Sequence, residues 1–229
     1  MFSIVTPVYN EEMSIRDTVE TFHKTLKENG FDEYEIIVVN DGSTDNSKAI
    51  AEELDVTLIS HPTNGGYGKA LKTGISAAKY DTIVITDSDG TYPFEEFPNL
   101  YNKFEEGFDM VVGARMGSHY RESWIKYPLR RILKFLAEFT CSNTIDDVNS
   151  GFRVFKKSLV MENKRQLCDT FSFSTSLTLA AFMTGKFVAY LPIGYNERVG
   201  ETKVRLVRDS MITLQYILQA VNYYNPLKL

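Results

Sequence analysis

No apolar run in this chain approaches the roughly 18 to 20 residues needed to cross a bilayer, and residues 1 to 12 lack the basic stretch and apolar core of an export signal. Neither membrane spanning nor secretion is expected. Cysteine is scarce: Cys141 and Cys168 make neither a metal-ligand spacing nor a disulfide framework. A reducing, cytoplasmic compartment follows. The three histidines, His23, His61 and His119, show no ligand spacing and are read as structural or surface groups. With 14 Gly and 7 Pro, the chain is neither fibrous nor low in complexity. It has no basic run interleaved with aromatics and a pI of about 5.3, so nucleic acid is not an expected partner.

The sequence is rich in core-forming residues, with 43% hydrophobic and 13% aromatic residues over 229 positions, enough for one domain of generous size. Charge is unevenly spread. Residues 1 to 114 carry 8 Lys+Arg against 21 Asp+Glu, whereas residues 115 to 229 carry 17 against 9. An acidic half can supply carboxylates to a hydrated cation, and a basic half can meet phosphates or an anionic membrane surface.

Short Val- and Ile-rich runs at 2–6, 34–40, 56–60, 82–86 and 109–113 read as buried strands. Between them, helical periodicity covers 13–29, stopping at Gly30, then 45–54 after a capping Ser43 or Thr44, 67–79 and 94–106. Strands alternating with helices predict an α/β fold with a mainly parallel sheet and ligands at the carboxyl ends of its strands. The second half is less regular. A helix is expected over 122–140, kinked or started by Pro128, then a turn at 146–153, a short strand, a helix near 173–184, and strands near 187–191 and 193–197. A last amphipathic helix, 206–224, carries Val207, Met211, Leu214, Leu218 and Val221 in near-heptad register. Trp124 and the basic steps Lys126, Arg130 and Lys134 fit either a membrane interface or a packed helix.

Three strands end in polar clusters that a parallel sheet brings to one edge: Thr6 to Glu11, Asn40 to Asp45, and Thr86 to Gly90. Each alone is ordinary turn chemistry; three in register point to a site. Asp87 and Asp89, two residues apart, suit a hard cation such as Mg or Mn with ligand phosphates completing its shell. Asn64 to Lys69 is a glycine-rich turn that could cradle phosphate at a helix N-terminus or serve as a turn only.

These clusters, together with Val148-Asn149-Ser150-Gly151-Phe152-Arg153 and Arg198-Val199-Gly200-Glu201-Thr202-Lys203, resemble the family 2 glycosyltransferases of the GT-A fold. Within them the chain is most similar to the dolichol-phosphate mannosyltransferase type, which loads a sugar onto a polyprenyl phosphate. The resemblance covers nearly the whole chain and implies a single GT-A (Rossmann-like) nucleotide-sugar-binding domain over 1–205, with a nucleotide-binding half (1–114), an acceptor-binding half (115–205) and a membrane-proximal helix (206–229). One departure is Thr91, where relatives commonly have Gln.

The resemblance also implies roles. Asp89 would be the main metal ligand, and Asp87 would contact ribose or metal. Asp41 would accept hydrogen bonds from the base, Pro7, Tyr9, Glu11 and Ser88 would shape the nucleotide-sugar pocket, and Lys69 would be a lesser candidate there. Arg115, Arg131, Ser150, Arg153, Arg198 and Lys203 would meet the acceptor phosphate or donor diphosphate. Asp87, Asp89, Arg115, Arg131 and Asp147 thus form the expected catalytic set. A phosphate monoester needs no general base; for a hydroxyl acceptor, Asp146 or Asp147 would remove the proton. The implied reaction is a metal-dependent, inverting transfer of a hexose from GDP-mannose or a UDP-hexose to a dolichyl or undecaprenyl phosphate, with the enzyme peripheral on the cytoplasmic face of a membrane. A transferase acting on a glycan or protein hydroxyl, and a noncatalytic nucleotide-sugar-binding protein, are the alternatives.

Overall fold

The computed structural model describes residues 1–116, 126–197 and 205–226. Seven strands form one sheet in the order β3-β2-β1-β4-β6-β5-β7. These are β1 (Phe2–Val8), β2 (Tyr34–Asn40), β3 (Thr57–Ser60), β4 (Thr82–Ile85), β5 (Met110–Arg115), β6 (Arg153–Lys156) and β7 (Val188–Ile193). All pairings are parallel except those of β6, which lies antiparallel between β4 and β5.

The inner strands read as continuous apolar runs because both sheet faces are covered. On β2, Ile36 and Val38 enter one core with Phe2 and Ile4, while Ile37 and Val39 enter the opposite core with Val5. Helix α1 (Ile15–Glu28) seals the first core with Ile15, Val19, Phe22 and Leu26, its expected stripe. It ends in a Schellman turn: Gly30 adopts φ +70°, its N–H donates to the Lys27 carbonyl, and Phe31 N–H donates to Leu26. A short α2 (Ser47–Glu52) and α4 (Phe97–Glu105), which follows a 3-10 turn at Phe94–Glu96, complete that side. Helices α3 (Tyr67–Ala77), α6 (Lys157–Asn163) and α7 (Phe173–Met183) cover the other face. Helices α5 (Lys126–Cys141) and α8 (Leu206–Tyr224) pack outside α7 on a third cluster, which includes Leu133, Ala137, Leu179 and Ile217.

Of the two roles expected for Pro128, the start of the helix fits: it falls in the first turn of α5, where a missing N–H costs nothing. Other expectations change. The two strands expected between 187 and 197 are one strand, β7, at the sheet edge, and α6 was not expected at all. Neither Ser43 nor Thr44 caps α2; the helix starts later, where Asp45 Oδ1 accepts the Ser47 N–H at 3.0 Å. No described helix is long and apolar enough to cross a membrane.

Candidate active site

The β1, β2 and β4 clusters converge and interlock. Ser43 Oγ accepts the Asn10 N–H at 3.0 Å, Asn10 Oδ1 accepts the Thr44 N–H at 2.8 Å, and Ser47 Oγ accepts the Glu11 N–H at 2.7 Å. Pro7 sits at the end of β1, past the last β1–β4 pair, Val5 with Ile85, so its missing donor breaks no ladder on that side. Its carbonyl accepts the Ser88 hydroxyl at 3.1 Å. Tyr9 and Glu11 are half-buried beside it, and Glu11 opens α1 by accepting the Ser14 and Ile15 N–H groups.

Asp41 follows β2 and is 2% exposed. Its carboxylate accepts N–H groups from Gly65 (2.9 Å) and Gly66 (2.8 Å) and meets His61 Nδ1 at 2.6 Å. His61 Nε2 in turn meets the Thr73 hydroxyl at 3.0 Å, tying Asp41 to α3. Three of about four acceptor positions on the carboxylate are therefore filled by the chain. The glycine turn is not an open phosphate cradle: two of its amides point at Asp41, and the Lys69 N–H donates to the Asp169 carbonyl at 2.9 Å. Gly66 needs its φ of +103°, and a Cβ on Gly68 would stand 2.2 Å from the Cys168 carbonyl oxygen. Lys69 is exposed and drapes its methylenes over Gly65.

Asp87 and Asp89 leave β4 together. Asp89, 2% exposed, accepts both the Thr91 N–H (3.0 Å) and the Thr91 hydroxyl (2.6 Å) on Oδ1, so Thr91 orients this carboxylate. Asp87 is half-buried and accepts the Tyr67 hydroxyl at 2.8 Å; burial and the Asp87 charge hold that phenol well above its ordinary pKa, as a permanent donor. Gly151 lies against the pair, since a Cβ there would stand 2.9 Å from Asp87 Oδ1 and from Tyr67 Oη. Its N–H donates to the Tyr92 hydroxyl at 2.6 Å. Tyr92 packs edge-on to Tyr195, over whose ring the Arg115 guanidinium sits at 5.3 Å. Arg115 grips Asp147 with two bonds, Nε to Oδ2 at 2.7 Å and Nη2 to Oδ1 at 2.9 Å. One connected edge thus runs from Asp87 to Arg115.

Four expected roles do not survive. Ser88 is 3% exposed and its hydroxyl is turned inward onto Pro7, so its side chain does not line a nucleotide pocket. Arg153 has no exposed surface and spends its donors on the Ser150 and Val148 carbonyls and the Thr178 hydroxyl, at 2.7, 3.0 and 2.8 Å. Ser150 is buried with it, and neither reaches an acceptor phosphate. Asp147 is 2% exposed; burial alone would raise its pKa, but the Arg115 charge and hydrogen bonds, with the Asn149 N–H, hold it below the ordinary value. A carboxylate so held is a poor proton acceptor. Arg131 is exposed on α5, whereas Arg198 and Lys203 lie outside the described residues, as do His119 and Trp124. Sequence reasoning missed Tyr67, Tyr92, Tyr195 and the Asp41 contact of His61; only Tyr67, inside the glycine motif, carried a signal.

Asp87 and Asp89 fit a divalent cation as hard oxygen donors. Among the described residues no group of three His, Cys, Asp or Glu side chains could hold one unaided. Two carboxylates leave most of such a cation's roughly six or more oxygen positions to water or to ligand oxygens.

Solved structures share this architecture. Glucosyl-3-phosphoglycerate synthase from Mycobacterium tuberculosis, in complex with Mn2+, uridine diphosphate and glucosyl-3-phosphoglycerate, matches with a TM-score of 0.77 and 21% identity, over 97% of this chain and 80% of that one. The same enzyme with Mg2+ and uridine diphosphate gives 0.74 at 21% identity, over 97% and 79%. A further mycobacterial protein gives 0.76 at 20%, over 97% and 75%. At these identities the likeness carries the fold. The family described as Glycosyl transferase family 2 matches residues 3–163 of this sequence, which include β1 to β6, the carboxylates Asp41, Asp87 and Asp89, and Arg115 with Asp147. The chain belongs to glycosyl transferase family 2 and is a GT-A glycosyltransferase.

Proposed function

We propose that this enzyme moves a hexose from a nucleotide-diphosphate sugar, GDP-mannose or a UDP-hexose, to a polyprenyl phosphate, with inversion at the anomeric carbon and with Mg or Mn. The observation that carries the reading is the continuous edge joining the carboxylates Asp87 and Asp89 to the Arg115–Asp147 pair through Tyr67, Gly151, Tyr92 and Tyr195. In this reading the edge would put the cation-holding carboxylates in line with Arg115, the guanidinium offered to phosphate.

In this reading Asp87 and Asp89 hold the cation, which neutralises charge on the departing diphosphate when bound. Thr91 and Tyr67 fix the two carboxylates. Arg115, aligned by Asp147 and stacked on Tyr195, presents positive charge to the acceptor or donor phosphates. A phosphate oxygen of the acceptor attacks the anomeric carbon, a new carbon–oxygen bond forms, and the bond to the nucleotide diphosphate breaks. The acceptor is already ionised near neutral pH, so no proton has to leave, in keeping with Asp147 being tied to Arg115. That tie also disfavours a glycan or protein hydroxyl acceptor. Asp41, with about one acceptor position left, and the half-buried Pro7, Tyr9 and Glu11 are the proposed walls for the nucleoside, and peripheral membrane contact would deliver the acceptor.

A second reading has a specific warrant: the fold neighbour glucosyl-3-phosphoglycerate synthase is seen in complex with phosphoglyceric acid, a small water-soluble phosphate. Incubating the protein with Mn or Mg, radiolabelled GDP- and UDP-sugars and either a short polyprenyl phosphate or 3-phosphoglycerate separates the two. Metal-dependent label in the organic phase is the expected outcome; label confined to the aqueous phosphoglycerate product would replace the acceptor. Asp89→Asn, which can still accept from Thr91 but loses the charge, should lower turnover about a hundredfold or more with a nearly unchanged melting temperature. Near-normal turnover in that variant would remove the metal role.

A further inference from the structure

The two oxygens of the buried Asp41 carboxylate are unequally filled. Oδ1 accepts two donors, the Gly65 N–H at 2.9 Å and His61 Nδ1 at 2.6 Å, whereas Oδ2 accepts one, the Gly66 N–H at 2.8 Å. A carboxylate oxygen offers about two acceptor positions. Among the described residues, Oδ1 is therefore full and one position is left, on Oδ2. Because an ionised carboxylate only accepts, the hydrogen of the short bond to His61 sits on Nδ1.

The three partners are themselves pinned. His61, with its side chain 14% exposed, is held at Nε2 by the Thr73 hydroxyl of α3 at 3.0 Å, and that hydroxyl donates to the Lys69 carbonyl at 3.1 Å. The glycine turn is fastened from its far side. A Cβ on Gly66 would stand 2.6 Å from the Asp169 carbonyl oxygen, and the same carbonyl accepts the Lys69 N–H at 2.9 Å. Asp41 thus keeps one open acceptor position in a fixed direction, and no partner is placed to yield a second.

Nucleobases differ in what they offer such a group. Uracil has a single donor, the imide N3–H, in the middle of its hydrogen-bonding edge. Guanine has two side by side, N1–H and the amino group on C2, which a carboxylate accepts with both oxygens. Against Asp41, which is 2% exposed, guanine would leave one donor unpaired, and a site of this kind rejects a ligand that leaves a polar group without its partner. Cytosine turns a lone pair toward the carboxylate where uracil has its hydrogen.

We infer that the donor is a UDP-hexose and that His61 is the residue that sets this choice, because by occupying Oδ1 it leaves Asp41 able to read one N–H and no more. The inference rests on the proposed place of Asp41 in the nucleoside pocket and decides between the two donors that reading leaves open. His61 touches no reacting atom; it is a positioning residue that acts through Asp41.

The test is calorimetric titration of the full chain, with Mn2+ present, with UDP, GDP, CDP and the diphosphate of N3-methyluridine. UDP should bind about tenfold or more tightly than each of the others. His61→Leu opens a position on Oδ1 and should shrink the UDP-to-GDP ratio about threefold or more. His61→Asn, whose amide N–H stands close to where Nδ1–H did, should keep the ratio. A role confined to folding would weaken both nucleotides by one factor and leave the ratio alone. With UDP-sugar as substrate, the leucine variant should change the donor KM more than kcat. GDP or the methylated nucleotide binding as tightly as UDP, or an unchanged ratio in His61→Leu, would overturn the inference and leave the donor site standing. Binding of none of the four would instead remove Asp41 from a nucleotide site and take the wider reading with it. The comparisons on the parent protein hold whether or not either variant folds.

Discussion

Arg153 is the largest fully buried side chain among the described residues, and its hydrogen-bonding partners are carbonyls, a hydroxyl and the Met110 sulfur rather than a carboxylate. Burial pulls its pKa down, while the Tyr190 hydroxyl nearby and then the Asp147 charge oppose that shift. A charge this deep is retained only if its forked donors reach every partner. Arg153→Lys keeps the charge but cannot span Ser150, Val148 and Thr178, and should cost about 3 kcal/mol, a fall of roughly 6 to 12 °C in melting temperature. If Arg153 were an acceptor ligand instead, the lysine variant would melt like the parent and raise only the acceptor KM. The sequence could not reveal this, because an arginine behind Ser-Gly-Phe looks the same whether it faces phosphate or core. What decides is β6 running antiparallel between β4 and β5, which turns the side chain toward Thr178 on α7. Asp87 and Asp89, by contrast, were legible, since two carboxylates at the end of an apolar strand must emerge at its edge.

Among the elements, α3 shows how closely the fold ties the site to the sheet. Gly74 lets this helix lie against β1 and β2: a Cβ there would stand 2.5 Å from Val5 Cγ1 and 2.9 Å from Val39 Cγ2. Its backbone is helical, so Gly74→Ala gains up to about 1 kcal/mol of helix propensity while overpacking the contact by roughly 1 to 3 kcal/mol. The expected net result is a lower melting temperature, measurable by calorimetry. Because Tyr67 at the start of α3 holds Asp87, and Thr73 holds His61 and through it Asp41, a shifted α3 should also raise the donor KM. A variant more stable than the parent would mean that the valines give way. The parallel half of the sheet was readable because doubly covered strands must be continuous apolar runs. The short strand expected after the 146–153 turn is β6, but its antiparallel place between β4 and β5 was not readable, nor were the short α6 and the single β7, since none is long enough for its period to stand out and long-range pairing decides their state.

Across the whole molecule the acidic first half and basic second half meet in the pairs Asp109 with Lys156 and Lys72 with Asp169, while the most enclosed described pair, Arg115 with Asp147, lies within the second half, with side chains 12% and 2% exposed. Asp45, bonded to Ser47 and the Glu12 N–H, and Asp109, bonded to Lys156 and the Phe187 N–H, are likewise held below the ordinary carboxylate range despite partial burial that works the other way. A carboxyl whose folded pKa lies below its unfolded value near 3.9 contributes stability that is fully present above that value and is lost as pH falls through the folded pKa. In that window the unfolded chain binds more protons, so stability rises with pH. Urea unfolding should therefore give constant stability from about pH 6 to 8 with respect to these groups and a decline below about pH 4. Asp147→Asn leaves Arg115 without its counter-charge and should cost about 3 kcal/mol near neutral pH. The gap between parent and variant should close as pH falls below about 4, because protonation removes from the parent what the substitution removes from the variant. Salt should barely alter the gap, since the pair is shielded from solvent ions. A gap that is constant down to pH 2, or one that salt abolishes, would place the Asp147 contribution outside its charge.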